Sequence, residues 1–255
     1  WRGAFTALTL SHVLKEPSHT EDYTYSDTYK PAPVSQSKEG LIHRWTFNNE
    51  KNSLIDDIGG VTLKNGGGVT FSNGMAIFDG GSRSFLYSTD PKINSERFSG
   101  TKEFTVWVKF EVDAYGGDEI KRLIRRNLKQ SNSNTTFSIT LGESSISGAV
   151  FRGSEFLATP AGISFSDKEP NVVAISFSPA LLRGYGNGIE KVRDLEDFSM
   201  NDIGVFTIGG LVNHDDMRFS QIFIGRIDEI RIYDELLTLE ELNAIQSIPN
   251  DISTR

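Results

Sequence analysis

Hydrophobic and polar residues alternate with a period of two along residues 222–233, which read IFIGRIDEIRIY. This period, together with many β-branched residues, predicts one long strand. The alternation stops at Asp234, and Thr238 and Glu241 then have the spacing of a capping box. Apolar residues follow at helical spacing, so the sequence predicts a short helix at 239–245 directly after the strand.

Shorter segments with the same alternation recur from Gly40 onward, separated by stretches rich in glycine, asparagine and aspartate. In FTVWVKF, for example, Phe104, Val106 and Val108 face one way. Further strands are predicted at 41–47, 75–78, 135–141, 147–151, 172–177 and 205–208. About a dozen strands with a single C-terminal helix indicate an all-β fold, an antiparallel β-sandwich of the jelly-roll type.

Residues 1–39 differ in composition from the rest of the chain. Ala4–Leu14 alternates well enough for one strand, whereas residues 15–39 are polar, contain three prolines and resemble a linker. We therefore divide the chain into an N-terminal arm, 1–39, and a jelly-roll domain, 40–255. The arm either lies extended on the domain or connects it to an assembly partner, such as a neighbouring subunit.

The composition argues against several classes of function. The 255 residues contain no cysteine, which removes disulfides, thiolate zinc sites and thiol nucleophiles. A formal net charge of −8 argues against general nucleic-acid binding. No apolar run approaches the ~18 residues of a membrane-spanning helix, and no signal peptide opens the sequence.

Several short motifs resemble those of laminin-G-like jelly rolls, which belong to the concanavalin A-like lectin and glucanase superfamily. GRIDEIRIYD followed by LTLEEL resembles the closing segment of that family. LIHRWTFNN, AIFDGG, FTVWVKF, NVVAISFS and TIGG follow the family's order, so the resemblance spans 40–246. It implies the sandwich fold and a location that is extracellular or on a cell or virion surface.

The same resemblance implies a calcium site near the edge of a sheet. Asp228 matches the acidic position of the closing motif, and the family places the loop after the first strand nearby. That loop contains Asn48, Asp56 and Asp57. Calcium takes six to eight oxygen ligands, which carboxylates, amides and carbonyls can supply. The alternative is that these side chains only accept hydrogen bonds from turn amides.

An otherwise acidic chain carries one concentrated basic segment, formed by Lys121, Arg122, Arg125, Arg126 and Lys129. Arginine holds carboxylates and sulfates through two parallel hydrogen bonds, which favours a polysaccharide with uronate or sulfate groups as the ligand. If 120–126 is a strand, Arg122 and Arg126 share a face with Ile124. The alternative is a solvated edge strand protected by charge.

Aromatic side chains offer flat surfaces on which the apolar face of a sugar ring can pack. Trp107 points away from the core side of its strand, either to an outer face or into a second layer. Tyr115 and Tyr185 lie in a loop and a glycine-rich hairpin, where we expect exposure. With the charged and polar candidates, the predicted ligand-binding set is Arg44, Trp107, Tyr115, Arg126, Tyr185 and His214.

The sequence carries no nucleophile motif, no phosphate-binding loop and no carboxylate-rich strand for glycoside hydrolysis, which needs two paired carboxylates. β-Elimination of a uronate needs less, namely a cation for the carboxylate and a Lys, His or Tyr that moves a proton. If the protein is a polysaccharide lyase, the candidate catalytic residues are His43, Lys109, Tyr185 and His214.

Three functions therefore remain open. The first is a non-catalytic, lectin-like module that binds an extended, anionic polysaccharide at a cell, secreted-enzyme or virion surface. The second is a lyase that cleaves a uronate-containing polymer. The third is a structural or adhesion subunit of a surface or phage assembly. Fold analogy favours the first, the arginine segment the second and the N-terminal arm the third.

Overall fold

The structure, a computed structural model, describes residues 40–48, 52–94, 97–98, 100–113, 120–128, 134–202, 204–216 and 218–247. These residues form two antiparallel β-sheets that pack face to face, which confirms the predicted β-sandwich. The N-terminal arm, with the strand predicted at Ala4–Leu14, lies outside the described residues. No helix in the described part of the chain is long and apolar enough to cross a membrane.

The strands are numbered in chain order. The first sheet contains β1 (Leu41–Trp45), β3 (Val69–Ser72), β4 (Met75–Asp79), β6 (Phe104–Val112), β12 (Asn171–Ser178), β13 (Leu181–Gly186), β14 (Ile189–Asp194) and β18 (Ile224–Tyr233). Its order is β14-β13-β12-β6-β18-β4-β3, and the second half of β18 also pairs with β1. The long strand predicted at 222–233 corresponds to β18, which thus lies inside this sheet between β6 and β4.

The second sheet contains β2 (Lys64–Asn65), β5 (Leu86–Ser88), β7 (Lys121–Asn127), β8 (Thr135–Leu141), β9 (Ser145–Arg152), β10 (Glu155–Ala158), β11 (Ile163–Ser164) and β15 (Val205–Ile208). Its order is β10-β9-β8-β7-β15-β5-β2, and β11 pairs with β9. A separate hairpin joins β16 (Leu211–Asn213) to β17 (Arg218–Ser220).

Alternation along each strand sends one set of side chains into the space between the sheets. In β6 these are Phe104, Val106, Val108 and Phe110, all buried as the pattern predicts. Phe98 lies between the sheets, with ring centroids 4.9 Å from Phe104 and 4.7 Å from Phe137 of β8. The core is therefore continuous and rich in aromatic rings.

The helix α1 (Leu239–Ser247) follows β18 and confirms the predicted helix, with two more residues at its end. Its capping box forms as expected, because the Thr238 amide donates to Glu241 at 2.7 Å and the Glu241 amide donates to Thr238 Oγ1 at 3.3 Å. Leu41 of β1 is partly buried and packs outside the sandwich with Leu239 and Ile245.

Candidate functional site

Strand β7 carries the basic segment and lies inside the second sheet, between β8 and β15. The alternative interpretation, a solvated edge strand, is therefore wrong. A β-bulge interrupts the pairing with β8 between Arg122 and Ile124. Because a bulge inserts one extra residue, it reverses the alternation of side chains. Arg122 and Arg125 consequently lie on the outer face of the sheet, while Ile124 and Arg126 point inward.

Neutral groups hold the guanidinium groups of Arg122 and Arg125. Arg122 donates from Nε to Gln221 Oε1 at 2.8 Å and from Nη1 to Thr140 Oγ1. Arg125 donates from Nη2 to Thr135 Oγ1 and lies 5.5 Å from the centre of the Phe151 ring. Arg125 is only 3% exposed, and its Nε has no hydrogen-bond partner. Neither arginine forms an ion pair with a described residue.

Burial changes the acid–base properties of this pair. Burial lowers the pKa of Arg122 to about 10. Burial, followed by the charge of Arg122, lowers the pKa of Arg125 to about 9. Both side chains remain cationic at neutral pH, and a buried charge without a partner is costly. This part of the sheet therefore carries a positive charge that no described residue neutralises.

Arg126, which the sequence analysis selected for ligand binding, occupies a different environment. It is 2% exposed and donates from Nη1 to the Phe98 carbonyl and, at 2.7 Å, to Thr136 Oγ1. Its Nη2 lies 3.3 Å from Asp202 Oδ1. Arg126 thus connects strands and loops inside the protein and is not available to a surface ligand. Arg122, which is partly exposed, replaces it as the candidate for surface contact, with the buried Arg125 behind it. The bulge that turns Arg122 to the outer face could not be read from the sequence.

Small side chains extend the outer face from β7 across β8 to β9, and they include Ser138, Thr140, Ser147 and Ala149. Phe151 of β9 then stacks on Phe156 of β10, with ring centroids 5.8 Å apart. Phe156 is 53% exposed, more than any other large hydrophobic side chain among the described residues. We call these residues of the outer face the arginine–aromatic strip: Arg122, Arg125, Ser138, Thr140, Ser147 and Phe156. Arg122 and Ser147 are partly exposed, whereas Arg125, Ser138 and Thr140 are buried in its floor.

His214 lies on the other side of the arginine pair. Its Nε2 is 2.9 Å from Oγ1 of Thr207, a β15 residue that pairs directly with Arg125. The Tyr87 ring packs against the imidazole, with centroids 5.8 Å apart. Burial lowers the pKa of His214 to about 4, although the charge of Asp215 acts in the opposite direction. His214 is therefore neutral at pH 7 and lies beside the strip.

The outer face of the first sheet is covered where α1 packs on it. Trp107 and Tyr185 are buried there with Tyr233, Leu237 and Leu242. The Tyr185 hydroxyl lies 2.9 Å from Asn243 Oδ1 and also contacts Gln246 of the helix. Trp107 therefore belongs to a second layer, and the expected exposure of Tyr185 is wrong. Neither ring can stack on a sugar in this arrangement.

Next to the helix, the first sheet carries arginines that are paired with a carboxylate. Glu229 is buried and accepts hydrogen bonds from Arg44 Nε at 2.5 Å and from Arg231 Nε at 2.8 Å. Although burial lowers it, the hydrogen bonds and charge of Glu229 raise the pKa of Arg231 above its usual value. Arg44, a predicted ligand residue, is thus already neutralised by Glu229.

A cleft of about 190 Å³ opens on the same face, lined by Met75, Lys109, Phe110, Glu111, Pro170, Arg226 and Asp228. Its charged residues pair with one another: Lys109 Nζ lies 2.7 Å from Asp228 Oδ2, and Arg226 Nη1 lies 3.2 Å from Glu111 Oε2. The cleft therefore combines both signs of charge, unlike the arginine–aromatic strip.

Asp56, one of the calcium candidates, is buried and accepts several hydrogen bonds. His43 Nδ1 lies 2.6 Å from its Oδ2. Backbone amides also donate to it, those of Arg44, Ile58 and Gly59. Although burial raises it, these hydrogen bonds lower the pKa of Asp56. Asp56 thus organises the turn after β1, as the alternative interpretation expected.

The other calcium candidates have partners or surroundings of their own. Asp57 accepts a hydrogen bond from Thr46 Oγ1 at 2.9 Å, and Asn48 is exposed. Asp228 is paired with Lys109. Within the described ranges, no three His, Cys, Asp or Glu side chains are grouped as metal ligands. The calcium site therefore stays a prediction.

The residues considered for lyase chemistry are not brought together. His43 is buried beside Asp56, Lys109 lies on the outer face of the first sheet, and Tyr185 lies under α1. His214 lies beyond the second sheet, so the core separates it from the others. Tyr115, the remaining ligand candidate, falls outside the described residues.

No family model and no curated protein sequence matches the chain. Among solved structures it is similar to domain 4 of AbnA, a GH43 extracellular arabinanase from Geobacillus stearothermophilus, in complex with arabinotriose. The identity is 18% and the TM-score 0.60, over 79% of this chain and 96% of that one.

The chain is also similar to the binding domain of botulinum neurotoxin serotype G, with 14% identity and a TM-score of 0.63 over 80% of this chain and 50% of that one. A third similar structure is the binding domain of botulinum neurotoxin DC in complex with SialylT, with 13% identity and a TM-score of 0.61. The chain thus spans about half the length of the neurotoxin domains. These likenesses show the β-sandwich fold.

Proposed function

We propose that this protein is a lectin-like module that binds an extended, anionic polysaccharide at a cell, secreted-enzyme or virion surface. The arginine–aromatic strip carries this proposal, because it combines an exposed ring, small hydroxyl side chains and cations without carboxylate partners on one face. Such a face differs from an ordinary solvated face, where exposed cations are balanced by nearby acids.

Each part of the strip has a distinct use in binding a sugar chain. The apolar face of a sugar ring can pack on Phe156, which already rests on Phe151. Between the ring and the arginines, Ser147 is partly exposed and offers a hydroxyl, whereas Thr140 is buried and binds Arg122. Arginine then binds acidic substituents by charge-assisted hydrogen bonds. A ligand that uses both ends must span β7 to β10, which favours an extended polymer.

The comparison with solved structures gives this proposal independent support. The arabinanase domain that shares this fold over nearly its whole length was solved in complex with arabinotriose. A neurotoxin binding domain with the same fold was solved in complex with SialylT. We infer carbohydrate binding for this chain from its own surface, and these structures are consistent with it.

Binding to a panel of neutral, uronate-containing and sulfated polysaccharides tests the proposal. We expect acidic polymers to bind, with affinity that falls as salt rises, because exposed charge contacts are screened over about 8–10 Å at physiological ionic strength. Phe156→Ala should weaken binding roughly tenfold, as for an aromatic residue that supplies much of the binding energy of an interface. The control is Ile189→Ala, an exposed residue on β14 of the other sheet, which should bind as the parent protein does.

The alternatives give different results in the same assay. Unsaturated uronate products that accumulate with time would support a lyase. A panel without any binding would contradict the proposal and favour a structural subunit that acts through the N-terminal arm. We do not expect unsaturated products, because His43, Tyr185 and His214 are held in separate surroundings beside Asp56, under α1 and beside Thr207.

A further inference from the structure

Two arginines on the outer face of β7, Arg122 and Arg125, form no ion pair with a described residue. Gln221, Thr140 and Thr135 are all neutral, so they orient Arg122 and Arg125 but do not balance their charge. We propose that Arg122 and Arg125 form an oxyanion site that takes one carboxylate or sulfate group of an acidic sugar. The inference rests on the proposed function, since it names the group by which the strip recognises its ligand.

The hydrogen-bond geometry leaves donors for such a group. Arg125 uses Nη2 for Thr135, while its buried Nε–H has no partner. A guanidinium has five N–H donors in one plane, so both arginines keep donors that their protein partners do not use. Arg122 is partly exposed, whereas Arg125 is buried, so an anion would approach over Arg122.

The first sheet carries a similar pair of arginines that is already bound to a carboxylate. There, Glu229 accepts hydrogen bonds from both Arg44 and Arg231. On the second sheet the arginine pair is present, but no described carboxylate lies between the two side chains. A ligand carboxylate at Arg122 and Arg125 would do what Glu229 does on the other face, and would relieve the repulsion between the two cations.

Thermal unfolding in the presence of small ligands tests this site without any polysaccharide. The probes are sodium glucuronate with glucose as its uncharged control, and sodium sulfate with sodium chloride at equal ionic strength. We expect a saturable rise in Tm with glucuronate and sulfate, because a ligand that binds only the native state stabilises it. Glucose and chloride should give no saturable rise. The absence of a rise with both anions would overturn the inference.

Variants separate a specific site from general salt effects. Arg125→Met should raise the Tm of the anion-free protein, since it removes a buried unpaired charge, and should abolish the response to anions. Arg122→Gln, which retains Arg125, should weaken anion binding at least about tenfold, the loss expected for charge-assisted hydrogen bonds. Arg218→Gln is the charge-matched control, because that side chain is 79% exposed and paired with Asp216. A response retained in Arg122→Gln would contradict the site.

The outcomes for this site and for the proposed function can be told apart. Binding of polysaccharides that depends on Phe156, without any response to glucuronate or sulfate, would overturn the oxyanion site and leave glycan binding intact. A response to both anions that Arg125→Met abolishes, without binding to any polysaccharide, would support the site and contradict the proposed function.

Discussion

The outer faces of both sheets carry aromatic rings and arginines, but these side chains have different surroundings on the two faces. On the first sheet, α1 covers Trp107 and Tyr185, and Glu229 neutralises two arginines. On the second, Phe156 remains exposed and the Arg122–Arg125 pair has no described carboxylate. A face whose rings and charges are satisfied within the chain contributes to stability. A face that leaves them unsatisfied is suited to a ligand.

Truncating one large ring on each face gives the strongest test of this difference. Trp107→Ala should lower the free energy of unfolding by about 3–5 kcal/mol, because it leaves a cavity between the sheet and α1. Phe156→Ala should lower it by less than about 1 kcal/mol, since the ring is half exposed. Urea denaturation of both variants measures the two values. Equal losses would contradict the assignment of stability to one face and binding to the other.

Removing a charge from each of the two arginine pairs should change the stability of the protein in opposite directions. Glu229→Gln leaves Arg44 and Arg231 without their carboxylate, which should destabilise the protein by about 3 kcal/mol, as when one partner of a buried pair is removed. Arg125→Met should instead stabilise it by roughly 1 kcal/mol, because a charge that lacks a partner is removed. Thermal unfolding of both variants without added anions checks the signs. Destabilisation by Arg125→Met would mean that this arginine is structural.

The side chains on the inner faces of the sheets could be predicted from the sequence, whereas the surroundings of those on the outer faces could not. Alternation predicted β6 and β18 and the core side of β6, and the capping box at Thr238 predicted where α1 begins. These features follow from local periodicity. The outer faces depend on long-range packing, since only the fold shows that α1 covers Trp107. The bulge beside Arg122 shifts the register by one residue, so Arg122 lies on the opposite face from Ile124 and Arg126.

Low pH should lower the stability of the protein through His214, which lies beside the second sheet. The unfolded imidazole has a pKa near 6.5, and burial lowers the pKa of the folded group to about 4. Between these values the unfolded state binds more protons, so stability falls as the pH drops from 6.5 towards 4. The group should contribute on the order of 2 kcal/mol over this interval. His214→Gln should show a flatter stability profile in this window, whereas an unchanged profile would contradict the burial of a neutral imidazole.

Calcium should have the smallest effect, and it tests whether the charges of the first face are already satisfied. We propose that any Ca²⁺ at Asp228 must compete with Lys109, whose Nζ lies 2.7 Å from the carboxylate. Chelation should therefore change the Tm of the parent protein only slightly. Lys109→Gln removes the ion pair with Asp228, so the Tm of this variant should respond more strongly to calcium and to EDTA. Adding Asp228→Ala to that variant should remove the response. A calcium response equal in all three proteins would place the metal away from Asp228.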